Sequence, residues 1–149
     1  MGKRGELWFV IQLIIFAIIL LTPAIAPFSF PVVLRVTGLV ILGVGGALGT
    51  LGLLSLGSNL SPFPKPIEGG QLITTGAYRF VRHPIYAGLI IGTLGWGLLM
   101  DSLLGVVFAV VLFIFFDLKS RREEQWLVQT YSNYPAYQKR VRKLIPWIY

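Results

Sequence analysis

Two long apolar runs, Leu7–Pro27 and Val32–Leu56, constrain this chain more than any other feature. At about 21 and about 25 residues, each crosses a hydrocarbon core of roughly 30 Å at 1.5 Å per helical residue. A water-soluble core could not hide so much apolar surface. Of the 149 residues 55% are hydrophobic and 13% charged, and the mean hydropathy is +0.75, so the bilayer is the expected solvent. Two shorter runs follow, about Ile85–Met100 and Leu103–Phe116, separated only by Asp101 and Ser102. They are predicted to form a helical hairpin whose ends extend through 78–84 and from Asp117 onward; the alternative is one broken segment or a buried re-entrant pair. The expected fold class is all-α, a polytopic membrane protein made of one domain, 1–149. Its spans are expected at about 7–27, 32–56, 84–100 and 102–118, with a loop over 57–83 and a C-terminal helical segment within a tail over 119–149.

The formal charge of +7 does not point to nucleic acid, because the basic residues flank apolar spans instead of covering a polar, foldable domain. Anionic lipid headgroups suit them better. With a cytoplasmic N-terminus and about four spans, Lys3, Arg4, Lys65, Arg79, Arg82, Lys119, Arg121, Arg122, Lys139, Arg140, Arg142 and Lys143 all fall on the cytoplasmic side, leaving Arg35 opposite. Both termini, the loop and the tail are therefore expected in the cytoplasm. Lys3, Arg4, the apolar run and Ala24-Ile25-Ala26 imitate a signal peptide, but Pro27 just after that site and the length of the run favour a retained span. The chain has no cysteine, which removes disulfides, thiolate metal sites and a cysteine nucleophile.

Gly38, Gly45, Gly49 and Gly52 recur along the second span at spacings that bring helix backbones close. The proline- and glycine-rich stretch that follows cannot continue the helix; it is expected to fold as an ordered loop against the membrane face. From Lys119 to about Tyr131 there is no proline or glycine, so the fourth span is predicted to continue as a helix. Lys119, Glu123, Leu127 and Tyr131 then share one face. Trp126, Tyr131, Tyr134, Tyr137, Trp147 and Tyr149 suit a membrane interface.

The stretch GAYRFVRHPIYAG, Gly76–Gly88, contains the only histidine, His83. Taken singly, Arg82 and His83 are interfacial anchors and Pro84 is a first-turn proline. Taken together, Arg82, His83, Tyr86 and the pair Glu123-Glu124 lie at one edge of the last two spans, and ionisable groups gathered at one depth suggest a site.

These residues also carry a resemblance. LITTGAYRFVRHPIYAG, then EEQWL, then YPAYQKRVRKLIP resembles the isoprenylcysteine carboxyl methyltransferase and phospholipid methyltransferase family, integral membrane enzymes that use S-adenosylmethionine, over about Ser61 to Pro146. The resemblance implies a cofactor pocket at the cytoplasmic ends of the last spans, formed by Gln71, Leu72, Ile73, Tyr78, His83, Pro84, Ile85, Tyr86 and Glu123. A basic residue four before that glutamate is associated with the substrate side; here it is Lys119, where the family often has Arg, and Arg121 or Arg122 could take its place. The family usually shows Phe-Gly and two further residues before its Tyr-x-x-Tyr, whereas this chain has Tyr131-Ser132-Asn133.

The methyl donor is an activated sulfonium, so no metal is expected. A carboxylate acceptor needs no general base; an amine acceptor does, and Glu124 is the candidate catalytic residue. The expected acceptor is a lipid or prenylated molecule entering from the bilayer, a carboxylate ahead of a phospholipid amine. Two other classes stay open: an NADPH-dependent sterol-reductase-like enzyme, which the RVRKLIPWIY tail also resembles, and a non-catalytic membrane adaptor. Binding of S-adenosylhomocysteine, of NADPH or of neither separates the three.

Overall fold

The computed structural model describes residues 5–25, 27–146 and 148–149. Lys3, Arg4, Ala26 and Trp147, invoked above, lie outside the described residues. Among the described residues five α-helices follow in order: α1 (Glu6–Ile25), α2 (Val32–Leu56), α3 (Pro84–Leu99), α4 (Leu103–Thr130) and α5 (Tyr134–Arg140). Among the described residues the sole strand-like pairing is one parallel bridge between Val81 and Arg142. Helices α1, α2 and α4 are long and apolar enough to cross a membrane, and α3 is a shorter apolar helix. This is a polytopic helical membrane protein.

Local chemistry sets these boundaries. Pro31 precedes α2, and Gly57 ends it with a φ of 51° that a side chain would resist. The first helix stops at Ile25, two residues before the apolar run does, after Pro23 has removed one backbone donor. The carbonyl that Pro23 leaves free, Ile19 O, accepts the Thr22 hydroxyl at 2.8 Å instead. At 16 residues α3 spans only about 24 Å. The 28 residues of α4 span about 42 Å, so its C-terminal part extends beyond a ~30 Å hydrocarbon core.

Helices α2 and α3 pack through glycine. A Cβ on Gly88 would sit 2.5 Å from the Gly49 amide nitrogen, and one on Gly38 would sit 2.8 Å from the Gly95 carbonyl oxygen. Gly38, Gly45 and Gly52 are buried in this contact, whereas a Cβ on Gly49 would meet nothing nearer than 3.9 Å. Helix α1 packs on α4. Ile19, Leu112, Phe115 and Phe116 form the core there. The outer faces remain apolar, with Leu54 and Val33 each 73% exposed, as lipid-facing surfaces must be.

The α3–α4 turn closes one end of the bundle. Asp101, with a φ of 51°, accepts the Phe28 amide on its carbonyl at 2.7 Å and the Phe30 amide on Oδ1 at 2.9 Å. Ser102 caps α4, its Oγ accepting from Gly105 N at 3.0 Å and donating to Thr22 Oγ1 at 2.9 Å.

Candidate functional site

The opposite end of the bundle holds a cavity of about 340 Å³. Its frame begins where Pro84, the first residue of α3, opens the helix. The chain just before it is held by the tail: Arg82 N donates to Arg142 O at 2.8 Å and His83 N to Lys143 O at 3.1 Å. The Arg82 side chain completes the clamp. Its Nε donates to Glu124 Oε1 at 2.8 Å, while Nη1 donates to Gln138 O at 3.1 Å and to Val141 O, capping the carbonyls at the end of α5. Lys143 Nζ reaches Asp117 Oδ1 at 2.6 Å, which fixes the tail against α4.

Glu123 and Lys119 lie one helical turn apart on α4, and both line the cavity. Glu123 Oε2 accepts the Tyr86 hydroxyl at 2.7 Å and lies 3.9 Å from His83 Nδ1. The His83 and Tyr86 rings are stacked, with planes 4° apart, and Tyr86 stacks in turn on Phe116. Lys119 is 2% exposed. Its Nζ donates to Gln12 Oε1 at 2.6 Å, approaches Pro62 O at 3.5 Å and lies 5.2 Å from the centre of the Tyr86 ring. No carboxylate pairs with it among the described residues.

Of the residues singled out from the sequence, Gln71, Leu72, Ile73, Tyr78, His83, Ile85, Tyr86, Glu123 and Lys119 all line this one cavity. Pro84 does not; it is buried against α2, where a Cβ on Gly52 would meet its ring at 3.0 Å. Arg121 points outward, its side chain 64% exposed and paired with Asp117. Arg122 bonds Gln125 and lies over the Trp126 ring.

Glu124 requires the largest correction. It does not line the cavity, and its oxygens accept from Arg82 Nε, from His83 Nε2 at 3.0 Å and from Gln138 Nε2 at 2.8 Å. A general base must reach the proton it removes. Glu124 is instead the knot that joins α3, α4 and α5.

The tail tyrosines also depart from expectation. Tyr134 and Tyr137 are not at a lipid interface but buried, at 1% and 3% exposure, and both line the cavity. The Tyr137 hydroxyl donates to Tyr78 O at 2.6 Å, whereas the Tyr134 hydroxyl is buried without a partner among the described residues. Burial pushes the phenols of Tyr78, Tyr134 and Tyr137 well above the ordinary tyrosine value, so they remain neutral hydrogen-bonding groups. The Tyr-x-x-Tyr spacing was a usable signal, since residues three apart share a helix face. Gln12 was missed as well, although an amide in a membrane-spanning run ordinarily faces the protein interior.

The phospholipid methyltransferase family pattern matches residues 33–134. The chain is 38% identical over 79 residues to the protein-S-isoprenylcysteine O-methyltransferase of Schizosaccharomyces pombe, covering 52% of this chain and 34% of that one. It is 30% identical over 135 residues to the Saccharomyces cerevisiae enzyme of the same name, covering 86% and 56%. A solved structure of the eukaryotic intramembrane Ras methyltransferase, isoprenylcysteine carboxyl methyltransferase, superposes with a TM-score of 0.75 at 25% identity, over 92% of this chain and 52% of that one. The chain thus spans only part of the length of each of these relatives.

Proposed function

Because the chain belongs to the phospholipid methyltransferase family, we propose that it methylates the carboxylate of a membrane-embedded, isoprenylcysteine-type acceptor with S-adenosylmethionine as donor. The observation that carries the choice of a carboxylate is Lys119, a buried cation lining the cavity whose hydrogen-bond acceptors among the described residues are the neutral oxygens of Gln12 and Pro62. A buried charge of this kind is stabilised by an opposite charge brought to it. The same cation repels an ammonium acceptor. An amine would also need a base, and Glu124 is engaged elsewhere.

The cavity fits the donor on two counts. The unpartnered Tyr134 hydroxyl offers a hydrogen bond to a polar ligand, and Glu123 beside the Tyr78 and Tyr86 rings suits a molecule that carries a positive charge. When bound, S-adenosylmethionine supplies a methyl group already activated on sulfur and leaves as S-adenosylhomocysteine once the acceptor oxygen has taken that group. Glu123 would accept from the ribose hydroxyls or the amino end, while Tyr86 holds the orientation of its carboxylate. Leu72, Ile73 and Ile85 wall the cavity with apolar surface and exclude water. Lys119 would orient the acceptor carboxylate, with Gln12 setting the position of its ammonium. Orienting an ionised carboxylate is sufficient, because its lone pair requires no deprotonation.

The acceptor's polar end would sit at the headgroup level on the cytoplasmic side while its apolar chain stays in the bilayer, which avoids about 0.8 kcal/mol per CH₂ brought into water. The test is incubation of the purified protein with labelled S-adenosylmethionine, total membrane lipid and an S-prenylcysteine. Label released by mild alkali, as from a methyl ester, is expected. Alkali-stable label on an amine would overturn the carboxylate, and NADPH binding in place of S-adenosylhomocysteine would overturn methyl transfer.

A further inference from the structure

Arg79, Lys139, Arg140 and Arg142 at the cavity end are all exposed, and none of them forms an ion pair among the described residues. The carboxylates of α4 are engaged elsewhere. Asp117 is held by Arg121 and Lys143, Glu124 by Arg82 and His83, and Glu123 faces the cavity. Like charges gathered without a counter-charge repel one another and attract an anionic surface.

The fold brings these cations together. Arg79 ends the short turn Gly76–Arg79, and Lys139 and Arg140 end α5. The Tyr137 hydroxyl ties α5 to that turn by donating to Tyr78 O at 2.6 Å, and the bridge between Val81 and Arg142 continues the contact. Cations far apart in sequence thus share one region. It lies where the hydrocarbon ends: α3 begins at Pro84, and Phe80, just before it, is exposed. Beyond Arg142 the tail returns to the apolar part of α4, with the Tyr149 ring 6.0 Å from that of Phe113 and Ile148 beside it 76% exposed. Exposed apolar side chains interleaved with cations suit the boundary between acyl chains and headgroups.

The same segments hold the cavity together. While the Arg142 side chain is exposed, its carbonyl accepts from Arg82 N at 2.8 Å, and the next carbonyl, of Lys143, accepts from His83 N at 3.1 Å. The helix that ends in Lys139 and Arg140 places Tyr134 and Tyr137 in the cavity wall. An attraction acting on the outer side of these segments is therefore transmitted to the contact between tail and α3.

We propose that Arg79, Lys139, Arg140 and Arg142 dock this face on the anionic phospholipid headgroups of the surrounding bilayer, and that the docking holds the tail against α3 and so keeps the cavity walled. The proposal does not depend on the methyl-transfer reading, because its test requires neither donor nor acceptor. The purified protein is reconstituted in nanodiscs of phosphatidylcholine alone or of phosphatidylcholine mixed with phosphatidylglycerol, and hydrogen exchange of the Arg82 and His83 amides is followed by mass spectrometry. In the mixed bilayer these amides should exchange about tenfold more slowly. Added salt should shrink the difference.

Replacing all four cations by glutamine (Arg79→Gln, Lys139→Gln, Arg140→Gln and Arg142→Gln) should abolish the difference while leaving exchange in the neutral bilayer as in the wild type. Replacing only the three arginines by lysine should preserve it, because the surface reads charge and not the guanidinium fork. Equal exchange of the wild type in the two bilayers would overturn the proposal, as would a lipid effect that survives in the glutamine variant. Inorganic phosphate added to the neutral bilayer should not slow exchange; if it reproduces the protection, the patch binds a free anion and the lipid is overturned.

Discussion

The two ends of the bundle are both charged, and they use charge differently. At the Asp101 end the carboxylate and carbonyl accept the amides of Phe28 and Phe30 and face Arg35, and Ser102 and Thr22 satisfy each other. These groups close a turn. At the His83 end the neighbouring carboxylates divide the work: Glu124 is consumed by three donors, whereas Glu123, among the described residues, meets Tyr86 alone within hydrogen-bond distance and, with Lys119, faces a cavity. Residue type does not separate structural charge from receptive charge. Counting which lone pairs and protons are already taken does.

The comparison breaks most completely if the two ends do not lie on opposite sides of the membrane. Cysteines introduced at Ser29, in the loop that Asp101 closes, and at Ser132, beside the cavity, should label from opposite sides of sealed vesicles, Ser132 from the cytoplasmic side. Labelling of both from one side refutes the arrangement. Next in size is Glu124→Ala, which strands Arg82 in a buried site and should lower stability by about 3–5 kcal/mol, read as a fall in the unfolding midpoint in detergent. A loss below about 1 kcal/mol would place Glu124 among ordinary surface pairs.

The smallest effects form a matched pair. Glu123→Gln should weaken S-adenosylhomocysteine binding about tenfold, with stability within about 0.5 kcal/mol of wild type. Asp101→Asn should change stability by no more than about 1 kcal/mol, because its ion pair is partly exposed, and it should leave that affinity as it was. Equal effects of the two variants on affinity would erase the distinction between the ends.

How far the sequence revealed this arrangement depended on the range of the interaction. Helix α2 runs over Val32–Leu56, the limits of its apolar run, because Pro31 and Gly57 punctuate it locally. Helical periodicity put Lys119, Glu123, Leu127 and Tyr131 on one face, and all four line the cavity. The same periodicity turns Arg121, Arg122 and Glu124 to other faces, since consecutive residues point about 100° apart. Which face meets α3, and which meets the tail, is decided by partners distant in sequence. The bond from Lys119 to Gln12 joins residues 107 apart, and no local pattern contains that pairing. The tail tyrosines were legible as aromatic but not as buried, because the partners they meet are distant in sequence, as with the Tyr78 carbonyl that the Tyr137 hydroxyl reaches.

The bridge between Val81 and Arg142 also bears on the chain's birth. The amides of Arg82 and His83 donate to the carbonyls of Arg142 and Lys143, and the Arg82 side chain caps a helix that ends at Arg140. A nascent chain can place α1, α2, α3 and most of α4 in the membrane before Arg142 and Lys143 have left the ribosome. Until then the amides of Arg82 and His83 lack these acceptors, and Tyr134 and Tyr137 are not yet held in the wall of the cavity they line. The cavity's frame is therefore completed after the helices that carry it, by contacts that α1 to α4 cannot supply among themselves.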